Sequence, residues 1–421
     1  MTNWQTKKLG DVMEFVPTGA HSRNDMAEST NDKNEVFNIH YGDIHTKYAT
    51  YVDFNKNVVP VLKDSNIRTN MLLQDGDLVV ADASEDYAGV GSAVELVSVN
   101  NHKVIGGLHT FALRSKDHEF ASGFSGIMLS NPATHKRLMR MSVYSKVYGL
   151  TKSSIGSVEI SYPEKPEQQR IVAVLEVWDE YIEKLERKIA LKEQLKKGLM
   201  QQLLTGKRRL PGFSGEWRED DIQNLFELKN GYTPSKRNPD FWENGTIPWF
   251  RMEDIRKNGR ILGDSIQKIT PRAIKNGGLF PAGSIIMSTT ATIGEHALLI
   301  ADSLANQQFT FLVRKVNCLD LIDPKFVFYY CYILAQWCKN NVNEGGLMAV
   351  DIRGLKKYKF PVPDITEQRE IVKIMDGVSE DIDKLKEKKN LLVSQKKYLL
   401  KNLITGTIRT PHTMKLFSSK E

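Results

Sequence analysis

Cysteine is scarce in this chain: Cys318, Cys331 and Cys338 are the only three among 421 residues, all in the second half. An odd number without paired spacing excludes a disulfide framework and fits a reducing compartment. Cys331 and Cys338 can share a helical face with Leu334 and Ala335 between them, and read as small buried hydrophobes rather than metal ligands. Long apolar runs are missing too. No stretch approaches the ~18 residues needed to span a bilayer, and Met1 to Leu9 lacks a basic-then-apolar signal pattern. The expectation is a soluble, cytoplasmic protein.

The usual signatures of catalysis are also absent. Gly206-Lys207 is followed by Arg208, with Gln201 where a phosphate-binding loop needs its leading glycine. Gly89-Val90-Gly91 lacks the third glycine of a dinucleotide loop and reads as a tight turn. Gly123-Phe124-Ser125-Gly126 is one residue short of a nucleophile elbow. Asn131-Pro132 and Asn238-Pro239 do not continue into the proline–aromatic pair of an adenine methyltransferase, and read as loop starts. His40 and His45 flank Tyr41-Gly42-Asp43-Ile44 without a cysteine or third histidine to complete a zinc site. No catalytic or metal-binding residue is assigned, and the chain reads as a non-enzyme.

What the chain does have is duplication. Pro163-Glu164-Lys165-Pro166-Glu167-Gln168-Gln169-Arg170-Ile171-Val172 returns as Pro363-Asp364-Ile365-Thr366-Glu367-Gln368-Arg369-Glu370-Ile371-Val372. The register holds without a gap to Thr205-Gly206 and Thr405-Gly406, with about 17 of 44 paired positions identical. Each copy predicts one long helix. In the first, Ile171, Leu175, Trp178, Ile182, Leu185 and Ile189 alternate at spacings of four and three, a heptad seam. In the second, Ile371, Met375, Val378, Ile382, Leu385 and Leu392 do the same, and the seam falters at Lys192 and Lys389. Pro166 and Thr366 suit helix starts, and Gly206 and Gly406 suit the position past a helix end. About 39 residues at ~1.5 Å each make a rod of ~58 Å. A narrow apolar stripe on a long polar helix needs a partner, and the simplest is the other copy.

Shorter matches precede the helices. Trp4 to Leu9 parallels Trp217 to Ile222, Asp75 to Val80 parallels Ala282 to Met287, and Thr110 to Arg114 parallels Thr310 to Arg314. These are short strands bounded by glycine turns, mixed with helical stretches such as Pro324 to Val342. The expected fold is α+β: two similar globular domains, each followed by a long helix, the helices pairing as an antiparallel coiled coil about a pseudo-two-fold. The boundaries expected are 1–163, 164–206, 207–363, 364–406 and a C-terminal tail at 407–421. A composition of 41% hydrophobic and 26% charged residues fits such globular domains.

The formal net charge of +7 suits a nucleic-acid partner. Between Tyr232 and Arg260, Lys236, Arg237, Arg251 and Arg256 are interleaved with Phe241, Trp242, Trp249 and Phe250. In the first half Arg23, His45, Lys47 and Tyr48 are the analogous candidates, and Lys146, Lys152 and Arg353 lie just ahead of the helices. Arginine and lysine suit phosphates and guanine edges. The plainer alternative is that the aromatics are core and the charges solvated surface.

Thr233-Pro234-Ser235, Asn238-Pro239-Asp240-Phe241-Trp242 and Ile247-Pro248-Trp249 together resemble the start of a target-recognition domain in Type I restriction–modification specificity subunits. Ile39-His40-Tyr41-Gly42-Asp43-Ile44 is similar in the first half, and the Pro-x-x-x-Glu-Gln openings with helices ending in Thr-Gly resemble that family's helical spacers. The resemblance implies a DNA-binding subunit in which each target-recognition domain reads one half of a split site and the helices act as a ruler. It implies two modification subunits (N6-adenine methyltransferases) and a translocating restriction subunit as partners. S-adenosylmethionine, ATP and magnesium would then bind those partners, and this chain would carry no cofactor. Two other readings remain: a coiled-coil scaffold that binds only protein, and a stand-alone DNA-modifying enzyme with an unrecognised site.

Overall fold

The computed structural model describes residues 4–28, 35–63, 67–275, 277–343 and 348–414. The expected tail therefore lies partly outside the described residues, from 415 on. The chain divides into two compact units, Met1–Glu186 with Lys388–Glu421, and Arg187–Glu387. Both divisions fall inside the two 39-residue helices, Lys165–Leu203 and Ile365–Leu403. Each unit therefore contains one globular domain, the first half of the helix that follows it and the second half of the other helix.

The two units repeat one topology. In the first, the opening strand Gln5–Lys8 pairs antiparallel with Glu159–Tyr162, the strand that leads into the long helix. In the second, Arg218–Asp221 pairs with Lys359–Val362 in the same way. The central sheet of the first unit orders its strands as Met13–Val16, Thr110–Ser115, Leu78–Ala81, Ala93–Val97 and Tyr51–Asp53. Its counterpart runs Phe226–Asn230, Phe309–Arg314, Ile285–Ser288, His296–Leu299 and Ile261–Leu262. In both sheets only the last pairing is parallel.

Each central sheet is covered on both faces, which is why its middle strands are unbroken apolar runs rather than alternating ones. Leu78 and Val80 enter a core shared with the long helices, while Val79 and Ala81 enter a second core on the other face. Ile285 and Met287, against Ile286, divide likewise. The helix-side cores hold Ile171 and Leu175 in the first unit, and Ile371 and Met375 in the second. These four positions, read from sequence as helix seam, serve the globular cores as well. Of the remaining seam positions Leu185, Ile189 and Ile382 are buried, and Trp178, Ile182, Val378, Leu385 and Leu392 are half-buried.

Within each unit the helix halves run antiparallel. In the first, Glu167, Asp179 and Glu186 meet Arg409, Lys396 and Lys389 in that order. In the second, Lys192 meets Asp381 at 3.0 Å and, further on, Arg209 meets Glu367 at 2.6 Å. Lys192 and Lys389, where the heptad pattern falters, thus carry ion pairs between helices.

The repeated Glu-Gln also acquires a physical reason. Gln168 is buried, accepts from the Ala121 amide at 2.8 Å and donates to the Pro163 carbonyl at 2.9 Å. Gln368 accepts from the Asp323 amide at 2.9 Å and donates to the Pro363 carbonyl at 2.8 Å. Each glutamine therefore fixes the start of its helix to its own domain. Each preceding glutamate is buried and paired with an arginine that follows the end of the other helix: Glu167 with Arg409, Glu367 with Arg209. Gly206 and Gly406, at φ 68° and 71°, turn the chain after each helix against Trp217 and Trp4.

One helix differs between the units. Pro324–Asn340 is continuous over 17 residues. Its equivalent breaks into Phe124–Ser130 and Pro132–Met141, where Asn131 caps the new start through the Ala133 amide and Pro132 stands in the first turn.

Candidate nucleic-acid interface

The second core of each unit supports a short helix that follows a strand: Tyr41–Thr46 after Val36–Ile39, and Met252–Asn258 after Ile247–Phe250. Each helix is held by a fully buried aspartate. Asp43 accepts from Arg23 Nη1 at 2.9 Å and pairs with Lys47 at 3.1 Å. Asp254 accepts from the Arg251 and Ile266 amides, both at 2.7 Å. Arg23 and Lys47 are therefore anchors of the helix as well as half-exposed cations.

His45 and Arg256 hold the same place on these helices, and each lines a cleft. The first cleft, about 390 Å³, is bounded by His45, Tyr48, Asp86, Gly89, Ser130 and His135. The second, about 570 Å³, is bounded by Arg256 with Met252, Glu295, Lys339, Val342 and Met348. The loops between the third and fourth strands of the central sheets wall both clefts. Gly91 and Gly294 end those loops at φ 79° and 88°, where a Cβ would meet Leu138 and Ala335 at 2.9 Å. Only glycine fits that approach.

The other sequence candidates scatter. Tyr48 is 9% exposed and part of the second core, so its ring packs rather than reaching out; its phenol oxygen has no hydrogen-bond partner among the described residues. Burial pushes that phenol's pKa well up. Lys236 lies 3.1 Å over the Trp242 ring, 4.6 Å from Trp249, and donates to Gln267 Oε1 at 2.8 Å. Desolvation, with Arg251 beside it, holds its pKa below the ordinary lysine value. Arg251 pairs with Glu253 at 2.8 Å, and Trp249 and Phe250 are buried core. Arg237, Arg353 and Lys146 are exposed. Lys152 is exposed with its ammonium 5.4 Å over Phe15.

Sequence reading passed over Tyr87, Tyr144, Lys339 and Met348: Lys339 and Met348 line the second cleft, and Tyr87 and Tyr144 join Tyr148 beside the loop that walls the first. A hairpin, Val143–Tyr144 with Tyr148–Gly149, pairs with Ala83–Ser84 and carries Lys146 at its turn. Tyr148 stands 5.2 Å from Tyr87 and 4.9 Å from Tyr144. In the second unit the hairpin Val342–Asn343 with Ala349–Val350 places Met348 beside Arg256 and Lys339. The 200-residue offset, carried back beyond Pro163, aligns the two hairpins and was the available signal.

Among the described residues, no group of three or more His, Cys, Asp and Glu side chains could hold a metal ion. No described helix is long and apolar enough to cross a membrane. Ser125, in the near-elbow sequence, donates its hydroxyl to buried Glu95 at 2.7 Å. The three cysteines are buried and free.

A family profile described as Type I restriction modification DNA specificity domain matches residues 1–196 and 214–394. The chain is 48% identical over 187 residues to the Type I restriction enzyme EcoprrI specificity subunit of Escherichia coli, an alignment covering 43% of this chain and 46% of that protein. It is 27% identical over 309 residues to the EcoR124I/EcoR124II specificity subunit of Escherichia coli, covering 69% and 68%. Among solved structures, the Type I restriction–modification S subunit from M. genitalium aligns over 96% of both chains with TM-score 0.50 and 16% identity. A chain from a study of assembly and conformational transition of the type I R-M system aligns over 96% of this chain and 98% of its own, with TM-score 0.61 and 16% identity.

Proposed function

Because this chain belongs to the Type I restriction–modification DNA specificity family, we propose that it is the non-catalytic subunit that recognises a bipartite DNA site. Each unit reads one half-site, and the long helices set the unread spacer. The observation that carries this reading is the pair of equivalent clefts: one frame, built twice, presents His45, Asp86 and His135 in one unit and Arg256, Lys339 and Met348 in the other. A duplicated scaffold with different side chains at matching places suits two different half-sites. Side chains that reach base edges specify sequence, while cations on phosphates supply affinity and position.

Two modification subunits, and a restriction subunit for cleavage, are the partners this reading requires. Exposed apolar side chains on the long helices support docking there: Val177, Tyr181, Leu391 and Tyr398 in the first unit, Leu191 and Leu195 in the second. S-adenosylmethionine, ATP and magnesium belong to those partners in this proposal.

The test is genome-wide mapping of N6-methyladenine in a host expressing this chain with its modification subunit, against the same host lacking this chain. A split motif methylated on both strands and lost on deletion is expected. An active modification subunit in stable complex with the chain, but with no chain-dependent motif, favours the protein-binding scaffold instead.

A further inference from the structure

The hairpin beside each cleft has the same register in both units and different side chains. Val143 pairs with Gly149 in the first unit, and Asn343 with Ala349 in the second. Both hairpins are rooted alike. Leu150 and Val350 are buried, Thr151 and Asp351 cap the next helix, and Ile155 and Leu355 are fully buried inside it. The outward positions 143 and 343 are therefore equivalent, as are Tyr148 and Met348.

Val143 is 71% exposed and its neighbour Tyr144 62%. Successive strand residues point to opposite faces, so the outer strand of this hairpin is uncovered on both. Tyr144, Tyr148 and Tyr87 line up as three rings at the surface. Met348 is 62% exposed, and Asn343 is exposed beside it in the second hairpin. Cations border these side chains. Lys146 lies on the first hairpin, and Lys136 and Arg140 on the helix leading into it; Lys339 and Arg256 flank the second. Glu85 and Asp86 form an acidic rim beside the first hairpin, suited to the amino group of cytosine rather than to phosphate.

We propose that the paired strands of these two hairpins carry base-reading side chains of the two units, and that positions 143 and 343 determine specificity. This rests on the DNA-reading function proposed above and deepens it. Val143 presents methyl groups suited to the thymine methyl, and Asn343 a carboxamide suited to the paired donor and acceptor of adenine. Tyr144 and Tyr148 supply flat apolar surface for bases or sugars, and Lys146 a phosphate contact.

The experiment uses the full chain in complex with its modification subunit, with methylated sites mapped genome-wide. Val143→Ala relaxes discrimination about tenfold at one base pair of one half-site, and Asn343→Ala does so in the other half-site only. Val143→Asn shifts the base preferred in the first half-site. Val316→Ala, at an equally bare apolar residue elsewhere in the second unit (86% exposed), changes nothing. Melting midpoints stay at the wild-type value, because the substituted side chains are exposed. The proposal is overturned if Val143→Ala, Asn343→Ala and Val143→Asn all keep the wild-type motif and per-site methylation. It is overturned equally if one variant erodes both half-sites alike, or if a half-site change appears only with a lowered melting midpoint. Failure of the wild-type chain to direct any motif would instead sink the function proposed above.

Discussion

Arg409 grips Glu167 through two guanidinium nitrogens, 242 residues back along the chain, and thereby ties the segment after the second long helix to the start of the first. Arg209 and Glu367 form the matching pair in the second unit at 2.7 and 2.6 Å. Both glutamates are buried, whereas both arginines keep contact with solvent. The region expected to be a tail at 407–421 thus includes a lock, and Thr410 adds to it by accepting from Arg170 Nε at 3.0 Å.

Replacing Arg409 with alanine leaves a buried carboxylate without its charged partner and should cost about 2 kcal/mol of stability. Urea unfolding checks this, and a double-mutant cycle with Glu167→Gln isolates the pair. Additive single effects would mean that Arg409 contributes only packing.

His296 gives the second unit a pH dependence. Its Nδ1 donates to the Gly294 carbonyl at 2.9 Å, its ring edges Tyr332 and Phe328, and burial lowers its pKa to about 4. The folded value lies below the unfolded value of 6.5, so the unfolded chain takes up the proton first as pH falls. Stability from this group is complete above about pH 6.5 and declines toward pH 4, by up to ~3 kcal/mol. His296→Leu should flatten that part of the profile; identical slopes in both proteins would contradict the assignment.

Lys236 and Arg237 are neighbours with different expected roles. Lys236 is stacked on Trp242 and bonded to Gln267, so Lys236→Met should lower the melting midpoint and leave the salt dependence of DNA binding unchanged. Arg237 is exposed, and Arg237→Ala should reduce the slope of log affinity against log salt by about 1. Reversed outcomes would exchange the two roles.

Adding one heptad to both long helices near their midpoints lengthens each by ~10 Å, equivalent to about 3 base pairs. The methylated motif should gain a comparable spacer, or binding should be lost, with neither half-site altered. An unchanged motif would contradict the ruler.

Much of the frame was legible because it is written twice. The offset of 200 exposes the long helices, their heptads and their Glu-Gln openings, and a strong period survives in a single sequence. The partners of those glutamates were not legible, although Arg209 and Arg409 share the offset, because the pairing spans 158 and 242 residues. Tyr48 looked like a reader because it follows His45 and Lys47 in a polar stretch, yet tertiary packing turns it inward. The hairpins escaped notice because two-residue strands are too short to display alternation. A proline divides one helix into two, which disguises its likeness to Pro324–Asn340.

Each globular domain is completed by the end of the helix that belongs, in sequence, to the other. A product that stopped after Thr205 would hold one domain and one whole helix, but would lack the residues of 388–410 that finish its core and neutralise Glu167. Its own Leu203 and Leu204 are the counterparts of the missing Leu403 and Ile404. Such a half-length chain would be left with an unfilled socket and the matching plug, a combination that two identical copies can satisfy by exchange. The present chain makes that exchange covalent, and so frees its two domains to diverge.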